Sequence, residues 1–102
     1  MSRAVYIVGQ IQVKDYKTYF PQYAVKLNEV LIKYQGEALA GTTKAEVIEG
    51  EGFGNWTVLI KFPSRALADE CMKSEEYARL SALRINELTT GGNIFLIPAK
   101  AS

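Results

Sequence analysis

The stretch AVYIVGQIQV, residues 4–13, has the alternating hydrophobic pattern of a β-strand. Successive side chains in a strand point to opposite faces, so one face is aliphatic and carries Val5, Ile7, Ile11 and Val13. The opposite face is mixed and carries Tyr6, Val8, Gln10 and Gln12. We therefore expect a strand that packs one face into a core and keeps a second, partly apolar face for another surface.

A long helix is predicted after this strand. Asp15 is a candidate N-cap, and Gly36 is a candidate C′ residue at the far end. Between them, large side chains recur at helical spacing, namely Tyr16, Tyr19, Phe20, Tyr23, Leu27, Val30, Leu31 and Tyr34. Pro21 removes one backbone donor, so we expect a kink or a first turn that is separate from the main body of the helix.

The following region predicts two strands joined by a turn. EALAG and KAEVIE, within residues 37–49, indicate one strand that is interrupted near residues 41–43. GEGFGN, residues 50–55, predicts a hairpin turn, and NWTVLIKF, residues 55–62, predicts the next strand. The glycines of this turn do not match a phosphate-binding loop, because the Gly-Lys-Ser/Thr ending is missing and both flanking elements are strands.

Two helical pieces and a last strand are predicted in the remainder of the chain. Ser64 caps the first piece, which extends to about residue 71, and the second covers about residues 74–88. Gly91 and Gly92 are expected to close the second piece before the strand NIFLIP, residues 93–98. The order strand-helix-strand-strand-helix-strand predicts an α+β, ferredoxin-like β-α-β-β-α-β domain over residues 1–102. Strands one and three are central in its four-stranded antiparallel sheet, and right-handed crossovers put the helices on one face.

The other face of this sheet has no predicted cover, although it carries several apolar side chains, among them Tyr6, Val8 and Leu59. A solvent-exposed antiparallel sheet is normally more polar. Two such faces packed together would bury this surface with the helices outside. We therefore predict a homodimer.

Composition excludes several classes of function. The 102 residues carry a net charge of +1 without a basic run, which argues against nucleic acid or anionic lipid as a partner. No stretch has the length of a membrane span or the pattern of a signal peptide, so we predict a cytoplasmic protein with no membrane partner. The sequence contains no histidine, which excludes Cys–His and Ser-His-Asp catalysis, His-ligated zinc and proximal-His haem. Cys71, the single cysteine, is expected to be a buried hydrophobic residue.

Five pieces of sequence, in order, resemble a known family. They are YIVGQIQVKD, Tyr34 with Gly36, EVIEG at 46–50, the strand end at 62–64 and SEEYARLSALR at 74–84. Their order and spacing over nearly the whole chain closely resemble the family called domain of unknown function 1330. The resemblance implies the fold of the dimeric α/β-barrel superfamily, a homodimer, and no defined activity. Residues 35–37, Gln-Gly-Glu, depart from the Gly-Gly-Arg that is more frequent in the family, so a role for a basic residue there does not carry over.

Arg84 is unexpected because it lies on the apolar stripe of its helix. At 100° per residue it lies about 20° from Tyr77 on the helical wheel. In one interpretation, the guanidinium pairs with a carboxylate, within the chain or across the dimer, with Glu46, Glu49 and Glu87 as candidates. In the other, it binds a ligand carboxylate or phosphate, because its planar fork matches either group.

The resemblance to the dimeric α/β-barrel superfamily implies a pocket between helices and sheet. The candidate ligand-binding residues around it are Arg84, Tyr77, Trp56, Tyr19 and Tyr23. These aromatic side chains also suit simple core packing. We predict no cofactor and no metal site.

Three functions remain open. The first is a homodimeric binding module for a small anionic or aromatic ligand. The second is a cofactor-free enzyme of monooxygenase or isomerase type, in which Tyr77 or a carboxylate moves a proton and Arg84 stabilises an enolate. The third is an interaction protein whose pocket is filled by its own side chains. Superfamily members include monooxygenases, haem-degrading enzymes, isomerases and ligand sensors, so the fold alone does not choose.

Overall fold

The strands form one antiparallel sheet. A computed structural model describes residues 3–100 of the chain. The strands are β1 (Val5–Val13), β2 (Glu37–Thr42), β3 (Trp56–Phe62) and β4 (Thr89–Pro98), in the order β2-β3-β1-β4. This order confirms the α+β, ferredoxin-like prediction with the first and third strands at the centre.

The helices pack on one face of this sheet. The first helical region consists of α1 (Tyr16–Tyr19), a π-helical turn (Phe20–Ala24) and α2 (Val25–Lys33). The second consists of α3 (Arg65–Lys73), α4 (Glu75–Leu83) and another π-helical turn (Arg84–Leu88). Within residues 3–100, none of these helices combines the length and apolar character needed to cross a membrane.

Pro21 has the effect predicted from its missing backbone donor. It lies at the start of the first π-helical turn, which separates α1 from α2. A proline inside a helix cannot donate the regular hydrogen bond to the residue four positions earlier, so the helix adjusts locally. The first turn is therefore separate from the main body.

The core lies between the helices and the aliphatic face of β1. In the strand register, Val5 lies opposite Phe62 and Ile7 lies opposite Ile60, so the central strands present matching apolar faces. Phe62 and Cys71 are fully buried within this core. The prediction of Cys71 as a buried hydrophobic residue is thereby confirmed.

The C-terminal end of α2 differs by one residue from the prediction. Gln35, and not Gly36, adopts the left-handed conformation, with φ of 62°. The Gly36 amide donates to Leu31 O at 2.7 Å and the Gln35 amide donates to Ile32 O at 3.1 Å, which together make a Schellman motif. Gly36 is needed one position later because an added Cβ would lie 2.8 Å from the Phe62 ring.

Two predicted strand boundaries were wrong. β2 ends at Thr42, and no strand forms in residues 43–55, all of which the structure describes. The KAEVIE run has no neighbouring strand among residues 3–100, and Ile48 is 99% exposed. β4 begins at Thr89, so Gly91 and Gly92 belong to this strand and do not close the helix. The helix ends at Leu88 because the backbone becomes extended at Thr89.

Candidate functional site

A chamber of about 390 Å³ lies between the sheet and the helices. Its walls come from β1, β2, β3, the two helical regions and Ile94 of β4. All five residues proposed from the sequence line it, namely Tyr19, Tyr23, Trp56, Tyr77 and Arg84. The structure therefore brings them together at one place, and their role toward a ligand stays a prediction.

Small residues create much of this space. Gly9, Ala38, Ala40 and Gly41 line the chamber, where larger side chains would fill it. At Gly41 an added Cβ would lie 3.0 Å from the Trp56 ring, so glycine keeps room for the indole. None of these four residues was among the candidate ligand-binding residues, although the small-residue run ALAG at 38–41 was a visible signal.

Arg84 is the first residue of the second π-helical turn and is only 6% exposed. Its Nη2 donates to Ser81 Oγ at 3.2 Å, one helical turn earlier. The Thr89 hydroxyl donates to the Arg84 carbonyl at 2.8 Å, which ties this turn to the first residue of β4. The first hydrogen bond holds the guanidinium and the second holds the backbone of Arg84, whose side chain lines the space between helices and sheet.

The Arg84 guanidinium has no carboxylate partner among residues 3–100. The ion pairs in that part of the chain join Lys33 to Glu76, Arg65 to Asp69 and Arg79 to Glu75. The candidates Glu46, Glu49 and Glu87 are all exposed, and none of them pairs with Arg84. Arg84 Nε is buried and has no hydrogen-bond partner within the same range. The predicted ion pair within the chain is therefore wrong.

An aromatic wall surrounds the guanidinium. Arg84 Cζ lies 5.7 Å from the centroid of the Tyr23 ring, within range of a cation–π contact. The Tyr23 and Tyr19 ring centroids are 5.1 Å apart, and Phe20 makes an edge contact with Trp56 at 5.1 Å between centroids. These rings come from the first helical region and from β3, as the helical and strand periodicities predicted.

The position of Trp56 is set by Asn55 at the start of β3. Asn55 Oδ1 accepts from the Val13 amide at 2.7 Å, and its Nδ2 donates to the Val13 carbonyl at 3.0 Å. The side-chain amide thus extends the β1–β3 hydrogen-bond ladder by one step. Trp56 then lies opposite Ile11 on the chamber side of the sheet.

The buried tyrosines are neutral hydroxyl groups at physiological pH. Burial raises the pKa of Tyr19 to about 12, an effect that the nearby Arg84 charge partly opposes. Burial also raises the pKa of Tyr23 well above its ordinary value. Both hydroxyls can donate or accept hydrogen bonds, but neither supplies a base near neutral pH.

Tyr77 also lines the chamber. It is half-buried, and its amide donates to Ser74 Oγ at 3.1 Å in the N-cap of α4. Two polar or flexible side chains that the sequence analysis missed, Asn28 and Met72, also line the chamber. Asn28 is exposed, so it places a polar group where the chamber approaches solvent.

A second, shallower groove lies at the edge of β4. Its residues are Arg84, Ile85, Thr89, Thr90, Gly91, Gly92 and Ile94, so Arg84 and Ile94 belong to both spaces. An added Cβ at Gly92 would lie 3.7 Å from Arg84 Nη1. The guanidinium is therefore approached from two sides. No group of three or more metal-ligating His, Cys, Asp or Glu residues occurs in the described range.

Comparisons with known proteins give a family and a fold. Residues 4–98 match the model of the family described as Domain of unknown function (DUF1330). No curated protein matched the sequence. A protein of unknown function from Rhodopseudomonas palustris has a similar structure, with a TM-score of 0.76 and 11% identity over 100% of this chain and 86% of that chain.

Two further solved structures share the fold. SnoaB, a cofactor-independent oxygenase from Streptomyces nogalater, aligns with a TM-score of 0.67 and 14% identity over 99% of this chain and 97% of that chain. A dimeric ferredoxin-like protein of unknown function from Thermobifida fusca aligns with a TM-score of 0.57 and 8% identity over 97% and 93%. At these identities the likeness establishes the fold alone.

Proposed function

The chain belongs to the DUF1330 family, and we propose that it binds a small organic anion with an apolar or aromatic body in the chamber between sheet and helices. Arg84 is the anchor for the anion in this proposal. Tyr19, Tyr23, Trp56 and Tyr77 form walls for the body of the ligand. The proposal requires no cofactor and no metal.

The observation that carries this proposal is the buried Arg84 Nε, which has no hydrogen-bond partner in the described part of the chain. Removing a guanidinium from water is costly unless its charge and its N–H groups find partners. Ser81 supplies a neutral oxygen and the Tyr23 ring supplies a π face, and neither brings a negative charge. A ligand carboxylate or phosphate would supply both the missing acceptor and the missing charge, and it can do so in the bidentate geometry that arginine favours.

The chamber has the general character of a ligand site. Its volume of about 390 Å³ falls within the roughly 300–1,000 Å³ range of small-molecule pockets. Its lining is mainly aliphatic and aromatic, with few polar groups, as in most such pockets. The alternative of an interaction protein with a closed core has less support, because the protein's own side chains leave this space open.

A cofactor-free enzyme has less support than a binding module. Among the described residues that line the chamber there is no Asp, Glu, His, Lys or Cys. Burial moves the Tyr19 and Tyr23 pKa values away from neutrality, so these hydroxyls are poor general bases. The resemblance to the oxygenase SnoaB is one of fold and does not place a reacting group in this chamber.

The binding proposal is tested by thermal-shift measurements with a panel of aromatic and aliphatic carboxylates, sulfonates and phosphates. The proteins compared are the native chain, Arg84→Met and the control Arg79→Met, which removes an exposed arginine of α4. We expect at least one class of anion to raise the melting temperature of the native protein and the control, but not of Arg84→Met. An unchanged melting temperature with every anion, or a shift that survives in Arg84→Met, would contradict the proposal.

We also propose that the protein is a homodimer formed through the sheet face opposite the helices, here called the open face. Cross-strand pairs on this face join Val8 to Leu59 and Phe95, and Tyr6 to Ile97. Phe95 and Ile97 are 51% and 49% exposed, which leaves a contiguous apolar surface without cover. The structurally similar Thermobifida fusca protein is described as dimeric, which supports a second copy as the partner.

A homodimer is tested by light scattering on a size-exclusion column at micromolar concentration. The expected mass is twice the chain mass of 11.3 kDa. A mass near 11.3 kDa would contradict the dimer.

A further inference from the structure

We infer that the ligand is a monocarboxylate, with one negative charge and an apolar body, and that phosphate esters and dicarboxylates are discriminated against. This inference rests on the proposed function, because it assigns the charge and chemical class of the ligand in that chamber. It goes further because an arginine alone is compatible with either a carboxylate or a phosphate.

The inference begins with the charge balance of the chamber. Among the described residues that line it, Arg84 is the only one that is charged at neutral pH. One carboxylate neutralises this charge, whereas a phosphate monoester near −2 leaves an uncompensated negative charge in an apolar space. Uncompensated buried charge is strongly unfavourable, so the second charge opposes binding.

The other polar groups of the chamber can hydrogen-bond to an anion, but they cannot balance a second negative charge. Tyr19, Tyr23 and Tyr77 line the chamber together with Arg84, and each carries a hydroxyl group. Hydroxyl groups of this kind donate hydrogen bonds as neutral dipoles. They fit a carboxylate whose charge is already balanced, and they do not replace the second cation that a dianion needs.

The start of α4 does not take the place of a second cation. Phosphate sites in proteins often use the free amides and the dipole at the start of a helix. The first turn of α4 is beside the chamber, because Tyr77 lines the wall. Its first turn carries Glu75 and Glu76, and the Ser74 hydroxyl already accepts from the Tyr77 amide. Two carboxylates at this helix start oppose the binding of a dianion there.

The remainder of the chamber defines the body of the ligand. Away from Arg84, the lining consists of aliphatic side chains and small residues, including Leu27, Leu31, Ala38 and Val58. The Trp56 and Tyr19 rings provide flat surfaces beside them. A carboxylate on an aryl-alkyl or alkyl chain matches this arrangement of one charged end and one apolar space.

The test uses three head groups on one body: phenylbutyrate, phenylbutanol and phenylbutyl phosphate. A parallel series carries the same head groups on an unbranched alkyl chain of similar length. Binding is followed by calorimetry and by the fluorescence of Trp56, the only tryptophan, which lines the chamber. The proteins are the native chain, Arg84→Met, Arg84→Lys and the control Arg79→Met.

We expect the carboxylate to bind at least about 10-fold more tightly than the alcohol and the phosphate at pH 8 in one of the two series. The Arg84→Met variant should bind the acid no better than the alcohol, and Arg84→Lys should retain part of the preference. On lowering the pH from about 8 to about 5.5, phosphate binding should strengthen as the second phosphate proton is regained, with a pKa of about 6. Carboxylate binding should change little over the same range.

The outcomes separate this inference from the proposed function. If the phosphate binds as tightly as the carboxylate or more tightly, and Arg84→Met abolishes both, the monocarboxylate inference is overturned and the anion-binding function stands. If acid, alcohol and phosphate bind equally and Arg84→Met has no effect, both are overturned. If no member of the two series binds the native protein, both are likewise overturned.

Discussion

The Arg84 guanidinium lies over the ring of Tyr23, with Cζ 5.7 Å from the ring centroid. This cation–π contact and the hydrogen bond to Ser81 Oγ are made by a cation that is only 6% exposed. No carboxylate within residues 3–100 pairs with it, and its Nε has no partner there. The fold therefore holds a buried charge without a carboxylate partner in the described residues, and this is the group to which we propose that an anion binds.

Replacing Arg84 by methionine should leave the melting temperature of the unliganded protein unchanged or raise it. Methionine fills a similar volume and removes a buried charge that lacks a carboxylate. Thermal denaturation in phosphate-free buffer measures the effect. A reference for a true packing loss is Leu88→Ala, which removes a buried side chain and should cost about 2–5 kcal/mol.

A loss of about 3 kcal/mol or more in Arg84→Met would contradict this prediction. Such a loss is expected when one partner of a buried ion pair is removed. It would then indicate that a second copy of the chain supplies a carboxylate to Arg84.

Replacing Gln35 by glycine should stabilise the protein by about 0.5–1 kcal/mol. Gln35 has φ of 62° at the end of α2, a conformation that glycine adopts without steric cost. Urea unfolding at neutral pH measures the difference. Gly36→Ala is the matched control and should destabilise, because its new Cβ would lie 2.8 Å from the Phe62 ring. A lower stability of Gln35→Gly would show that relieving the left-handed strain at this position does not stabilise the protein.

The protein should lose stability as the pH rises above about 10. Burial raises the Tyr19 pKa from 10.0 to about 12, so the folded state holds this proton more tightly than the unfolded state. The stability that this difference contributes is complete below the unfolded pKa and is lost as the pH rises through the folded pKa. Urea midpoints between about pH 9 and pH 11.5 should therefore fall, and Tyr19→Phe should make the fall shallower. An equal slope in native protein and variant would show that Tyr19 does not contribute.

Replacing Phe95 by glutamate should convert the proposed dimer to a monomer. Phe95 lies beside Val8 on the open face, and a charge there would be buried in a sheet-on-sheet interface. Light scattering at micromolar concentration measures the mass. The control is Ile32→Glu on α2, which replaces a side chain that is 65% exposed on the helical side and should not change the mass. Dissociation by the control alone would place the interface on the helices.

Much of the fold follows from local patterns in the sequence. The alternation from Val5 to Val13 and the helical spacing from Tyr16 to Tyr34 fix which faces are apolar. The order of elements then predicts the ferredoxin-like arrangement, and the structure has the strand order of that arrangement. Arg84 was also visible in the sequence, because its place on the apolar stripe of a helix depends only on spacing.

Other features depended on contacts between distant segments. The strand pattern of residues 44–49 was clear, yet a strand needs a neighbour for its hydrogen bonds, and the described residues supply none there. Likewise, the lack of room for a Cβ at Gly36 depends on the Phe62 ring, which belongs to a strand far along the chain.

The sequence by itself determined the strand and helix faces, the order of elements and the presence of a buried arginine, because periodicity and spacing are local properties. Only the tertiary structure decided that this arginine meets a tyrosine ring and a serine and no carboxylate of residues 3–100. Only the tertiary structure likewise showed that glycines and alanines leave a chamber of about 390 Å³ beside it. Both depend on which side chains from separate strands and helices meet in space, and packing decides this after the local elements have formed.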